Sequence, residues 1–389
     1  MTEQADPNAS RLQSVDDVIL TPVVRRAIDR PDATILTWRY QTVSGGFGGG
    51  LGGTFIYRFD GEVRFGMENR HWSVILKIIH ARTGEALNST HYWKREFEIY
   101  QSGWLDDLPG RFRAVKIYET TEYPGEACWV WMEDVRSDLK QPWPNEHYGV
   151  AARHLGQFNG TYLMGRPIPE ADWLGTAWLR NIAQTAEQHV PRIQNMLRDP
   201  ELLPFLPSNA EELFNRLWDE RERFLNALDQ LPQTFCHQDP VARNLFVLRA
   251  ADGNYDTIAI DWAFVGRAAV GMDIAVPLVI GLGFIEIDAA DALELKTMMY
   301  SSYLEGLRDT GWDGDPRNVQ LGFVASAVGK YIEVLMLSSQ FMTDPNMLAV
   351  FEQTFGHPTS KIRKQFGETF RFVFGAAEEA RQLMEELEM

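Results

Sequence analysis

The residues of this chain that could do chemistry gather in His237-Gln-Asp239-Pro-Val-Ala-Arg-Asn244, followed by Ile258-Ala-Ile260-Asp261-Trp262. Their types are those that phosphoryl transfer needs. A carboxylate must receive the acceptor hydroxyl's proton and orient its oxygen for in-line attack, and hard oxygen ligands must hold Mg2+ against nucleotide phosphates. Asp239 suits the first task. Asn244, with a neutral carbonyl oxygen, and Asp261, with an anionic one, suit the second. The segment from Asp239 to Asn244 reads as a loop with a proline, and Ile258-Ala-Ile260 as a buried-type strand delivering Asp261 at its end. The competing reading is a polar loop between two strands, with Asp261 capping the next segment. His-x-Asp-x4-Asn alone arises often by chance; the apolar-Asp-Trp element at this distance argues against chance.

Upstream lies Ser44-Gly-Gly-Phe-Gly-Gly-Gly-Leu-Gly-Gly53, set directly between strand-like runs ending at Val43 and starting at Thr54. Backbone N–H groups unshielded by side chains can approach phosphate oxygens, so this is either a phosphate lid or a flexible linker, and its position favours the lid. Lys77 stands amid Ile75, Leu76, Ile78 and Ile79, where an unpaired ammonium would be costly to bury. It either faces solvent or meets anions: Glu96 on the following helix, with Glu98 as competitor, or nucleotide phosphates. Trp129-Val-Trp131-Met-Glu133-Asp-Val135 is an apolar strand running into a polar break, whose backbone could meet an adenine edge beside Met132.

The elements that must position these residues fall into two kinds. Alternation predicts a strand over Thr34–Thr42, a strand-like run follows over Thr54–Phe59 and an apolar run over Ser73–Ile79, with a hairpin turn at Asp60-Gly61, and shorter strands are expected at Val115–Tyr118 and Trp129–Met132. One helix is expected from His91 to Trp104, with Trp93, Phe97, Tyr100 and Trp104 on one face, and another near the N-terminus, capped by Ser14 and limited by Pro22. From Asn145 the spacing turns helical. Tyr148, Ala152, Leu155, Phe158 and Tyr162 form one stripe and Leu213, Leu217, Phe224, Leu228 and Leu231 another. Ile362, Phe366, Phe370, Val373, Ala377 and Ala380 form a third behind a Ser360 cap. A strand–loop–strand insert covers Thr234 to Trp262. This is an α+β chain: a small antiparallel-sheet lobe with one helix, joined near 133–136 to a larger helical lobe.

At 389 residues the chain suffices for two lobes, and its 45% apolar and 23% charged content is ordinary for a globular protein. The formal charge of −17 argues against a general affinity for nucleic acid or anionic membranes, and suits either plain solubility or a cationic ligand. Two cysteines, Cys128 and Cys236, give no disulfide framework, and the polar MTEQADPNAS start is unlike a secretory signal, so a cytoplasmic setting is expected. The most apolar run, Ile274 to Ile285, is too short and too rich in Gly and Pro to span a bilayer.

Taken in order, the glycine loop, strand lysine, helix glutamate, Met-Glu-Asp break, His-x-Asp-x4-Asn loop and Ile-Asp-Trp resemble the family of aminoglycoside phosphotransferases and choline kinases. Gly271-Met-Asp273-Ile-Ala adds the element that follows the metal aspartate in that family. The matched elements span about residues 34 to 285. The resemblance implies a bilobal protein-kinase-like fold, with residues 1–135 as nucleotide-binding lobe and 136–389 as catalytic, substrate-binding helical lobe. It implies Asp239 as catalytic base, His237 as holder of the loop's shape, and Asn244 and Asp261 as Mg2+ ligands. Lys77, paired with Glu96, would steady phosphates under the loop of Gly45, Gly46, Gly48 and Gly49, while Glu133 and Val135 offer backbone groups to the base. Asp273 would be a structural cap. The implied activity is transfer of the γ-phosphate of ATP or GTP to a hydroxyl of an aminoglycoside-, amino-sugar- or choline-like acceptor. Departures are Gln238, where the family commonly has glycine, and the unusually glycine-dense loop. Asp-Trp replaces the Asp-Phe-Gly of protein kinases and no Ala-Pro-Glu follows, which argues against protein substrates. Arg243 is expected to pair with a carboxylate. Glu286, Asp288, Asp291 and Glu294 either line the acceptor site or form a solvated helix face. A kinase-shaped module that binds nucleotide without turnover is the alternative, against which the joint presence of Lys77, Asp239, Asn244 and Asp261 speaks.

Overall fold

The computed structural model describes residues 8–43, 54–136 and 142–389, with backbone alone at 354 and 355. The chain forms two compact units: Met1–Glu85 with Phe97–Asp106 and Val115–Arg136, and Ala86–Glu96 with Asp107–Ala114 and Ser137–Met389. The loop glycines Gly45, Gly46, Gly48 and Gly49 lie outside the described residues.

In the first unit, helices α1 (Ala9–Leu12) and α2 (Asp17–Ile28) precede β1 (Thr34–Val43), β2 (Thr54–Phe65) and β3 (Glu68–His80). After α3 (Arg95–Gln101), whose residues from Phe97 on belong to this unit, and β4 (Phe112–Ala114), which belongs to the other, come β5 (Ile117–Tyr123) and β6 (Ala127–Glu133). The sheet order is β1-β2-β3-β6-β5, antiparallel throughout. Alternation decides its faces. Tyr57, Phe59, Trp72, Val74, Leu76, Ile78, Trp129 and Trp131 point to one side and pack with Leu20, Val23 and Val24 of α2. Each such side chain contributes roughly 1.5–3 kcal/mol on burial. Lys77 sits opposite Ile56 and Val130, and Ile75 opposite Arg58 and Met132, so these six share the other face.

Three local expectations are corrected here. The Asp60-Gly61 pair is no turn: β2 runs straight through it, and the chain reverses at Gly66, whose φ is 56°. Glycine is needed at 61 for closeness, because a Cβ there would lie 1.9 Å from the Thr37 carbonyl oxygen, beside the bulge between Ile35 and Thr37 in β1. The cap of α2 is Asp16, which accepts from the N–H groups of Val18 and Ile19 at 3.0 and 3.1 Å; Ser14 instead donates to the Arg11 carbonyl. The helix expected over His91–Trp104 is only α3. The Leu87, Ser89 and Thr90 carbonyls accept from the Arg95 guanidinium, and Gly103 turns the chain at its far end with φ 74°.

The second unit is mainly helical: α4 (Asn145–Leu163), α5 (Trp178–Ala186), α6 (Val190–Leu197), α7 (Ala210–Gln230), α8 (Met272–Gly283), α9 (Ala292–Asp309), α10 (Pro316–Phe341), α11 (Pro345–Phe355) and α12 (Thr359–Glu386). The expected stripe Tyr148, Ala152, Leu155, Phe158 and Tyr162 is buried along α4. Ser360 does not cap α12. That helix starts one residue earlier, where Glu352 accepts from both the N–H and the hydroxyl of Thr359. The insert holds more strands than expected. β7 (Gln233–Cys236) pairs with β10 (Gly266–Ala269), while β8 (Leu245–Arg249) pairs with β9 (Tyr255–Ala259), which β4 joins in parallel. Of the run expected as one strand at Val115–Tyr118, only Ile117 and Tyr118 lie in a strand, the start of β5, while Val115 and Lys116 fall between β4 and β5. Among the described residues one helix, α10, is long and apolar enough to cross a membrane, and 78% of its apolar window is buried inside the protein. Cys128 and Cys236 are both buried free thiols.

Candidate active site

Between β7 and β8 the chain makes a tight loop held by its own residues. The N–H of Asp239 donates to Nδ1 of His237 at 3.2 Å, and His237 Nε2 lies 3.0 Å from the Ile260 carbonyl oxygen. With Nδ1 accepting, Nε2 carries the proton and donates, so the ring is a neutral bridge between the loop and the end of β9. It is fully buried, 4.5 Å from the Trp262 ring. Asn244 Nδ2 donates to both the carbonyl oxygen and carboxylate Oδ2 of Asp239, each at 3.0 Å. The Asn244 carbonyl accepts from the N–H of Ile260 at 2.9 Å, which brings Asn244 beside Asp261. The amide nitrogen of Asn244 is committed to Asp239, so its amide oxygen is the atom able to meet a cation.

Asp261 follows β9 with φ 62°, in the left-handed region that Asp tolerates better than most residues, and this turns the chain sharply after Ile260. Arg95 secures the turn from outside. Its buried guanidinium donates to the Ala263 and Trp173 carbonyls at 3.1 and 2.6 Å. Asp239 retains some exposure, yet burial pushes its carboxyl up to about 7; Lys330 and Arg243 pull it down, while Asp261 and Glu333 raise it. A carboxylate poised near neutrality suits general-base work. Among the described residues no group of three His, Cys, Asp or Glu could by itself hold a metal. One amide oxygen and one carboxylate do fit Mg2+ that takes its remaining ligands from phosphates and water.

Asp273, at the start of α8, organises the loop. Its Oδ2 accepts from the N–H of His237 and from Asn159 Nδ2, both at 3.1 Å, and its Oδ1 from the N–H of Gln238 at 2.8 Å. Tyr303 donates to Asn159 Oδ1 at 2.7 Å and so orients that amide. Burial pushes the Asp273 carboxyl up to about 6 against these hydrogen bonds. Gln238 has φ 66°, a conformation glycine adopts without strain. Its side-chain amide donates to the Gly175 carbonyl at 3.3 Å, next to the point where Gly175 and Gly266 touch. A Cβ on Gly266 would lie 1.8 Å from that same oxygen.

Arg243 pairs with Glu286 at 3.1 Å. Asp288, Asp291 and Glu294 are exposed, as a solvated face would be, and Glu286 alone of the four is drawn in. Lys330 of α10 escaped sequence reasoning. It is 3% exposed, its ammonium lies 4.0 Å above the Trp178 ring and 2.5 Å from Glu333, and Trp178 stacks on Phe264 at 5.2 Å. A lone lysine in the apolar run Val319–Leu335 was the available signal. Arg95 was missed too, since its acceptors are backbone carbonyls from distant segments, which no spacing encodes.

In the first unit Lys77 is buried on the sheet face opposite the α2 core. The N–H of Glu133 donates to the Lys116 carbonyl at 2.9 Å, so base contact from this residue would fall to its carbonyl. Val135 follows, just beyond the end of β6. Glu96, in the second unit, is 3% exposed near the start of α3.

Comparison with known proteins bears on this arrangement. A family model described as "Phosphotransferase enzyme family" matches residues 63–296. No curated protein sequence matches the chain. Among solved structures, an amicoumacin kinase in complex with AMP-PNP, Ca2+ and Ami is 14% identical, covering 93% of this chain and 96% of that one with a TM-score of 0.51. A microcompartment-associated aminopropanol kinase is 11% identical, covering 92% and 98% with a TM-score of 0.55. These establish the α+β, kinase-like fold. The family match includes Lys77 on β3 and the segment that carries Asp239, Asn244 and Asp261, and by it the chain belongs to the phosphotransferase enzyme family, as a small-molecule kinase.

Proposed function

We propose that this protein transfers the γ-phosphate of ATP or GTP to a hydroxyl of a small acceptor of the aminoglycoside, amino-sugar or choline type. One observation carries the reading: Asn244 bonds both to Asp239 and, through its backbone, to the residue before Asp261, so a base and two oxygen ligands lie on one hydrogen-bonded frame. Asp239 accepts the acceptor's proton and aligns its oxygen. Asn244 and Asp261 hold Mg2+, which when bound draws charge from the nucleotide's phosphates. His237 has both ring nitrogens committed and keeps the loop's shape. Residues 1–135 serve as nucleotide-binding lobe, where Lys77 and the glycines at 45, 46, 48 and 49 handle the phosphates, and Glu133 and Val135 the base. Residues 136–389 carry the catalytic loop and the acceptor. The net charge of −17 supports a cationic acceptor, as does the amino alcohol named for one structural relative. The free thiols support a cytoplasmic setting.

The test is ADP release across aminoglycosides, amino sugars, cholines and nucleosides, with Asp239→Asn as blank. Turnover by the wild-type protein that Asp239→Asn abolishes, with nucleotide affinity kept, is expected. Equal turnover by the variant removes Asp239 as base. Nucleotide binding without turnover on any acceptor leaves a silent binding module in place of a kinase.

A further inference from the structure

We propose that Asp134 is the positioning residue for the nucleotide's base, locking the Glu133–Val135 backbone to the sheet so that it meets the purine edge in one fixed geometry. This rests on the kinase reading above. The ladder ends at Glu133, and beyond a strand end the backbone is ordinarily free to fray. Here it is pinned on two sides. From the residue just before β5, the Lys116 carbonyl accepts from the Glu133 N–H, and the Lys116 N–H donates to the Glu133 carboxylate at 3.2 Å. From β2 and β3, Asp134 is held by Arg58 through paired bonds of 2.9 and 3.0 Å and by the Ser73 hydroxyl at 2.8 Å. Arg136 closes the ring, donating to the Asp134 carboxylate at 2.9 Å and to Ser73 at 3.1 Å.

The Asp134 side chain is only 2% exposed, and desolvating a carboxylate is expensive unless its oxygens are met. Burial works against its ionisation, but the Arg58, Ser73 and Arg136 contacts outweigh it and hold the carboxyl below its ordinary range. The apolar core on the other sheet face does not include this cluster, so the core's packing does not call for it. A two-pronged guanidinium–carboxylate pair fixes angle as well as distance, which is the property a presented backbone needs. Arg58 shares its sheet face with Lys77, and Ser73 precedes Lys77 by four residues of β3, about 13 Å along that strand. Clamp and phosphate lysine thus stand at the two ends of one surface, as base and phosphates do in an extended nucleotide. Val135 makes no backbone hydrogen bond among the described residues.

The experiment compares adenosine with magnesium tripolyphosphate, each titrated calorimetrically into wild-type protein, Asp134→Asn and Ser73→Ala. The isosteric amide cannot take both prongs of Arg58, so Asp134→Asn is expected to weaken adenosine about tenfold and leave tripolyphosphate within about twofold. Ser73→Ala, the milder variant, should weaken adenosine in the same direction by less. A structural role alone would weaken both probes together, and that result, or unchanged adenosine binding in both variants, overturns the assignment while leaving the kinase reading intact. A wild-type protein that binds neither probe nor ATP overturns the kinase reading and this assignment with it.

Discussion

Asp273→Asn should separate stability from activity. The carboxylate receives three hydrogen bonds, and an amide has one oxygen to offer. Placed where Oδ2 stands, that oxygen keeps His237 and Asn159, and the new NH2 then confronts the N–H of Gln238. A buried donor left without an acceptor costs about 1–3 kcal/mol, and such a confrontation strands two. Against this, the wild-type carboxyl is pushed up to about 6 from an ordinary 3.8, so keeping it ionised at neutral pH costs about 3 kcal/mol that a neutral amide avoids. The two effects nearly offset, and unfolding free energy at pH 7 should change by less than about 2 kcal/mol. Activity should not be spared. The left-handed turn at Gln238 stands next to Asp239, and losing the bond that holds it moves the base; a displacement near 1 Å costs roughly 10²-fold in rate. The pH dependence has a definite sign. A carboxyl raised in the folded state stabilises it below the unfolded value, and this stabilisation fades as pH rises through about 6. The wild type should therefore lose about 2 kcal/mol relative to the variant between pH 4 and pH 7. Urea unfolding at the two pH values, beside ADP release, measures both. Full activity in the variant, or a stability difference that does not vary with pH, refutes the argument.

Three further outcomes are expected. Asp261→Ala should abolish the Mg2+-dependent part of nucleotide binding, and an unaltered Mg2+ titration counts against its assignment. Lys330→Met removes the charge that most opposes protonation of Asp239, and kcat near neutral pH should fall about tenfold, with Lys330→Arg recovering much of the loss; equal rates dismiss the lysine from the site. Gly61→Ala drives a methyl to within 1.9 Å of the Thr37 oxygen and should cost about 2–4 kcal/mol in chemical denaturation, whereas an ordinary turn glycine would tolerate the change with far less.

What the sequence disclosed follows the range over which its parts interact. Asp239 and Asn244 are five residues apart and bonded to each other, and Asp261 comes two residues after the short strand β9, so a local pattern sufficed. The β1, β2 and β3 strands were legible because β-branched and aromatic residues crowd them and apolar runs mark their buried parts. Gly61 misled because Asp-Gly signals a turn through backbone freedom, while here it answers a close approach from β1, which one strand's sequence cannot show. The helix at Arg95 was overdrawn for a related reason: Arg95 is drawn to the carbonyls of Trp173 and Ala263, contacts from distant segments that local spacing does not encode. Asp134 depends on Arg58 and Ser73, 76 and 61 residues away, and Lys330 on Trp178, so neither had a neighbour in sequence to announce it.

Helix α10 has a consequence for how the protein is made. Its apolar surface is covered chiefly by α8, synthesised before it, and by α12, synthesised after it. Without α12, this 26-residue apolar helix would leave bare the flank that α12 covers. Shortening the gene before α12 should therefore yield inclusion bodies even with every residue of the Asp239 loop in place.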